Sequence, residues 1–361
     1  MLPREGRALI ADPPSGGRVD VRLVCDTREL AAMPWELAQA DERSHLPLVR
    51  LPFVSTVYRS PPTDVRAENH TLALQAILRI LGFFDGPPDG LMGGLTHTAL
   101  HAFQRRVGLP HKERADRPTW SALRAALSKQ PRRTVRVLVI RPGRYREIVR
   151  RRGTTAGGGD LAHIYQSHGM SVRVIEDPAP ELLRLQVPLF RKTPPDIIHL
   201  AGTVLLESGA TVVDFGGDAA TRSMVKGSAG GDQIPVTALG DLVAAAARPS
   251  FGPIVIVDAS WPGSQSEALR ALLVRNSFAH QLFGLGRAIA VIATGLAPVK
   301  DQELLYELLI GGFGGGADPA TVVGDVQRAT LDHPSPLAHL PFTSTALFVQ
   351  RSPYTFLPPG T

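Results

Sequence analysis

A single cysteine, Cys25, stands among 361 residues. No intramolecular disulfide can form, which excludes a secreted scaffold stapled by bridges. Cys25 ends the mostly apolar run Val21 to Cys25, where a buried structural thiol is expected rather than a reactive one. Long hydrophobic runs are lacking too. The longest, Ala288 to Ala293, is about a third of a membrane span, so no membrane partner is expected. Met1 to Ile10 carries proline, glutamate and two arginines, which is not the pattern of a secretory leader, and a cytoplasmic protein is expected. The glycine-rich stretch Gly153 to Gly159 lacks a following Gly-Lys-Ser/Thr, so a phosphate-cradling loop is excluded and no cofactor is expected. Charge of one sign is not in excess: 39 Lys and Arg oppose 33 Asp and Glu, a net charge of +6. That balance permits an acidic partner without demanding one.

What is present describes a soluble globular chain, 43% hydrophobic and 20% charged, long enough for one large domain or two ordinary ones. The organising stretch is Pro253 to Gly263, in which Ile254 to Val257 form an all-apolar, β-branched run that turns polar at Asp258, Ala259 and Ser260. Such a run reads as a strand covered on both faces. Asp196 to Leu200 reads as another, leading into Ala201, Gly202 and Thr203. From Thr134 onward strand signals alternate with helical ones, through Ser171 to Ile175, Pro178 to Phe190, Ala210 to Phe215, Leu239 to Ala247 and Ala288 to Thr294. The fold class this predicts is α/β, with a mainly parallel sheet flanked by helices. Sites in such sheets gather beyond the carboxyl ends of the strands, which singles out Thr203 and Asp258 to Trp261.

The pair His199-Leu-Ala-Gly-Thr203 and Asp258-Ala-Ser-Trp-Pro-Gly263 resembles the two catalytic strands of the CHAT family of caspase-like proteins. The segment Leu30-Ala-Ala-Met-Pro-Trp-Glu-Leu37 is similar to the amino-terminal part of that family. The resemblance implies a caspase-like sheet, with the general-base histidine position held by Thr203 and the nucleophilic cysteine position by Ser260. Both halves of the catalytic dyad are then replaced. Threonine does not titrate near neutral pH and serine needs a base, so no catalytic residue is expected. His199 lies four residues before Thr203, about 13 Å down a strand, and is expected to be a buried, hydrogen-bonded histidine. Asp258 is expected to cap a loop or helix.

Residues 61–68 mark a linker with two prolines, and the helix-rich stretch 66–129 follows. The order Leu74-Gln75, Leu81-Gly82, Phe84-Asp85-Gly86, Asp89-Gly90, Thr96, Phe103-Gln104, Asp116, Thr119-Trp120 is similar to the peptidoglycan-binding type 1 domain, a three-helix bundle. Three divisions are therefore expected: 1–60 and 132–361 as one caspase-like unit, with 66–129 inserted as the bundle. Candidate ligand contacts are Phe84, Asp85, Asp89, Thr96, Phe103, Gln104 and Trp120. Much of this motif also reads as scaffold, with Thr96 and Asp116 placed to cap helices.

Two further clusters remain. His97 and His101, four apart on one helix, have metal-ligand spacing but no third ligand nearby, and no metal is expected. Between Arg132 and Arg152 nine arginines oppose one glutamate, with Arg144, Arg146, Arg150, Arg151 and Arg152 as a basic patch. Only Tyr145 accompanies them, so protein docking is expected rather than nucleic acid. The function expected is that of a catalytically inactive CHAT-like pseudoprotease that binds other proteins, such as an active caspase-like protease or components of a larger assembly. A Ser260-dependent hydrolase and a peptidoglycan-binding protein are the alternatives.

Overall fold

The computed structural model describes residues 19–25, 28–33, 35, 54–60, 66–85, 89–129, 134–142, 161–207, 210–215, 233–247, 252–260, 268–286, 288–295, 302–332 and 345–349. Ten strands form one sheet in these residues: β1 (Val19–Val24), β2 (Val54–Ser60), β3 (Arg136–Arg141), β4 (Ser171–Glu176), β5 (Ile197–Glu207), β6 (Ala210–Asp214), β7 (Gln233–Pro235), β8 (Ile254–Ser260), β9 (Ala290–Gly295) and β10 (Ala346–Val349). Their order is β1-β2-β10-β9-β8-β5-β3-β4, with β6 and then β7 attached to the outer half of β5. All pairings along the main path are parallel except β10 with β9, and β6 runs antiparallel to both β5 and β7. The mainly parallel, helix-flanked architecture expected from the alternation is thus present.

Alternation with period two along each strand feeds two cores. Val255 and Val257 of β8 and Ile198 and Leu200 of β5 pack on one face. There they meet α1 (Arg28–Ala32), α6 (Pro180–Lys192), α7 (Val236–Ala246) and α8 (Ala268–Gly286) through Ala31, Phe190, Leu242 and Phe278. Ile254 and Ile256 of β8 and Ile197 and Ala201 of β5 face the other way. They meet α5 (Leu161–Ser167), α9 (Gln302–Gly314) and α10 (Pro319–Asp332) through Tyr165, Ile310 and Val323.

Strands β1 and β2, both before residue 61, belong to this sheet. Arg59 of β2 is buried, donates to the Met33 carbonyl and lies 5.2 Å over the Phe348 ring. Asn276 of α8 donates to the Ala32 carbonyl at 3.0 Å. Between β2 and β3 the chain makes α2 (Arg66–Ile80), α3 (Gly94–Arg106) and α4 (Arg117–Ser128), which share a separate core of Leu74, Leu78, Phe84, Leu100, Phe103 and Leu123. This is the three-helix bundle that the second resemblance implies.

Several boundaries differ from expectation for identifiable reasons. The strand expected to stop at Leu200 runs on to Glu207, because β6 pairs with Thr203 to Glu207. Helix α9 runs through Gly311 and Gly312 to Gly314. These glycines allow close approach: a Cβ on Gly312 would lie 2.8 Å from Val322 Cγ2, and one on Gly311 3.2 Å from the His168 ring. Thr96 is not a cap. The N-cap of α3 is Gly93, without a side-chain bond, and Thr96 lies inside the helix. Asp116 does cap α4, and Asp318 accepts from the Thr321 amide at the start of α10. Among the described residues, no helix is long and apolar enough to cross a membrane.

Candidate functional site

The carboxyl end of β8 lies beside the middle of β5, which runs on past it to Glu207. Their register sets His199 against Ile256, Ala201 against Asp258 and Thr203 against Ser260. The two positions singled out by the sequence are therefore direct partners across the central pair of strands. Thr203 is half-buried and also pairs with Asp214 of β6. Gly202, between them, is pressed by the β6 return: an added Cβ would meet Val213 Cγ1 at 2.7 Å, the Asp214 carbonyl oxygen at 3.1 Å and Phe215 Cδ1 at 3.3 Å. Gly202→Ala is expected to cost about 1–3 kcal/mol through this overpacking, measured by denaturant unfolding. An unchanged midpoint would show that β6 yields without cost.

Two residues before Ser260 and four before Thr203, a polar cluster is sealed in the core. His199 and Asp258 have no exposure, and His199 Nε2 lies 3.5 Å from Asp258 Oδ2. The Tyr165 hydroxyl of α5 is 2.9 Å from His199 Nδ1. The Tyr306 hydroxyl of α9 donates to Asp258 Oδ2. Two helices on one face of the sheet thus each send a tyrosine onto one member of the pair. The network closes when Tyr165 donates to Nδ1, which leaves the imidazole proton on Nε2 facing the carboxylate. Burial pushes the Asp258 carboxyl up from its ordinary value, against the opposing pull of His199, Tyr306 and Arg275. Burial, with the Asp258 charge, pushes the Tyr165 phenol well above its ordinary value. The expectation that Asp258 caps a loop or helix is corrected, because β8 extends through Ser260 and carries Asp258 in its buried interior.

Tyr165 and Tyr306 are the members of this cluster that the sequence left unmarked. Lone tyrosines in apolar helices look like core, and nothing in their spacing points to a strand 34 or 48 residues away. His199, by contrast, is buried and hydrogen-bonded as expected.

In the bundle most candidate ligand contacts work inward. Gln75 of α2 is the hub. Its Nε2 donates to Asp89 Oδ1 at 2.7 Å, the Leu91 carbonyl at 3.0 Å and Thr96 Oγ1 at 2.8 Å, while its Oε1 accepts from the Asp89 and Gly90 amides. The amide thereby ties the turn before α3 to α2. Gln104 does the same for the turn after α3, accepting from the Lys112 amide and donating to Thr119 Oγ1. Hydrogen bonding to Gln75 holds the Asp89 carboxyl below its ordinary value, and Lys112 with Thr119 does so for Asp116. Phe84, Thr96, Phe103 and Gln104 are buried, so a ligand reaches none of them in the closed bundle. Asp85 and Asp89 are exposed and Trp120 is half-buried.

The other clusters resolve differently. His111 stacks on His101 with ring centres 5.2 Å apart, and His97 lies 6.2 Å from His101. Among the described residues, no group of three or more His, Cys, Asp or Glu is arranged to hold a metal. Arg144, Arg146, Arg150, Arg151 and Arg152 lie outside the described residues. Of two other arginines of the same run, Arg141 is buried and pairs with Glu176 at 2.8 Å, and the half-buried Arg136 has its guanidinium 3.8 Å from Asp196.

Residues 68–123 match the family described as "Putative peptidoglycan binding domain". The match covers α3, α4 up to Leu123 and all but the first two residues of α2. No curated protein matches the chain.

Proposed function

We propose that this chain is a binding protein: a caspase-like α/β body without a working dyad, carrying a peptidoglycan-binding-like bundle. The observation that carries the first half is the register of the two central strands. It sets a threonine against a serine where the resembling family has its histidine and cysteine, while His199 is engaged by Tyr165 within the core. A serine is a poor nucleophile unless a base takes its proton. The partners inferred are other proteins, including an active caspase-like protease or components of a multi-protein assembly. The purified chain is expected to cleave nothing in peptide libraries. Turnover that Ser260→Ala abolishes, or labelling of Ser260 by a fluorophosphonate, would overturn the reading in favour of a hydrolase.

A second reading rests on the family match of residues 68–123. The bundle is complete, and its buried Gln75 and Gln104 networks hold both turns around α3 in place. We infer that wall glycan or its peptide is a ligand class for the exposed surface around Asp85 and Asp89. Purified peptidoglycan is expected to retain the chain, with retention lost on deleting residues 66–129. Equal retention of the deleted chain would remove this reading and leave the first intact.

A further inference from the structure

Helix α6 presents an apolar flank that nothing in the described chain covers. Leu182, Leu185 and Leu189 are 39%, 69% and 45% exposed. Their spacing of three and four places them in one stripe on a helix of 3.6 residues per turn. The core face of the same helix is made by Leu183 and Phe190, with Val187 packed against it, and the three leucines belong to none of the cores formed by the described residues. Solvent-facing leucines at this density on one helix mark an association surface more often than chance decoration.

The charges beside the stripe identify the occupant. Glu181 is four residues before Leu185 and Lys192 three after Leu189, so acid and base flank the same leucines at opposite ends, and both are exposed. They are eleven residues apart, about 16 Å along the axis. Arg184 and Arg191, seven apart, share the other shoulder of the helix, away from the leucines. An acid at the amino end and a base at the carboxyl end are self-complementary under a two-fold axis through the middle of the stripe. An anionic lipid surface would meet Glu181 with like charge.

We propose that α6 is a self-association surface on which a second copy of this chain packs its own α6 antiparallel. Leu182 of each copy meets Leu189 of the other, the two Leu185 side chains meet at the axis, and Glu181 of each copy lies beside Lys192 of the other. An isologous contact of this kind closes at two copies, and antiparallel helices also align their dipoles favourably.

The full-length chain, studied by sedimentation equilibrium up to about 100 μM, where a micromolar pair is populated, is expected to be dimeric. Leu185→Glu is expected to make it monomeric, with an unchanged thermal melt at low concentration because Leu185 contributes to no core. Glu181→Lys alone and Lys192→Glu alone are each expected to weaken the dimer about tenfold or more. Mixing the two variants restores it, because each mutant end then meets its opposite. A monomer at all concentrations, a dimer indifferent to Leu185→Glu, or failure of the mixture to recover would overturn the proposal.

Discussion

Asp258→Ala is expected to destabilise the fold by about 2–6 kcal/mol, from two buried polar groups left without a partner at about 1–3 kcal/mol each. The Tyr306 hydroxyl loses its acceptor, and His199 Nε2 loses the carboxylate that faces it in a buried site. Asp258→Asn separates shape from charge, since an amide keeps an acceptor for Tyr306. The Asp258 carboxyl is raised in the folded protein by burial. Its protonated form therefore favours folding: the contribution is full below the ordinary carboxylate range and is lost as pH rises through the raised value. Urea unfolding of wild type and Asp258→Asn side by side is expected to show the difference moving in the variant's favour from about pH 4 to pH 7. Titrations common to both chains cancel. A difference that stays flat, or moves the other way, would mean that Asp258 is held as a carboxylate by a protonated His199.

Gln327→Leu is expected to lower stability by about 3 kcal/mol or more, from several buried groups left without partners at about 1–3 kcal/mol each. Gln327 of α10 is 3% exposed. Its Nε2 donates to the Val57 carbonyl at 3.2 Å and the Thr345 carbonyl at 2.8 Å, and its Oε1 accepts from the Val57 amide at 3.3 Å. One side chain thus bridges β2 to the start of β10, where the strand ladder itself has a single register partner, Phe348 with Arg59. Leucine nearly conserves the volume and satisfies none of these groups. Hydrogen exchange locates the effect: the Val57 amide is expected to lose protection far more than the Val255 and Val257 amides at the sheet centre. Uniform loss across all three would show that β1 and β2 do not open separately from the rest of the sheet.

Much of the architecture was legible because it follows from local patterning. The apolar run Ile254 to Val257 forms a strand buried on both faces, and the alternation beyond Thr134 forms parallel strands with covering helices. The bundle was readable because its turns are clamped by residues of fixed type, Gln75 with Asp89 and Thr96 among them. The same clamps show why reading ligand contacts from those positions fails for Phe84, Thr96, Phe103 and Gln104. A residue that recurs in a motif to hold a turn is indistinguishable, in one dimension, from one that holds a sugar. The role of the glycines at 311 and 312 is hidden in the same manner, since the packing that requires them comes from Val322 and His168.

Residue order alone determined the sheet-and-helix class, the bundle, and the placing of Ser260 at a strand end, because these depend on periodicity and turn chemistry within a few residues. Tertiary structure decided what surrounds them. It set Thr203 opposite Ser260, enclosed His199 and Asp258 between Tyr165 and Tyr306, and turned Leu182, Leu185 and Leu189 outward. Those outcomes rest on strand order and on which face each helix covers, long-range choices made by the total burial of the chain and not by any segment of it.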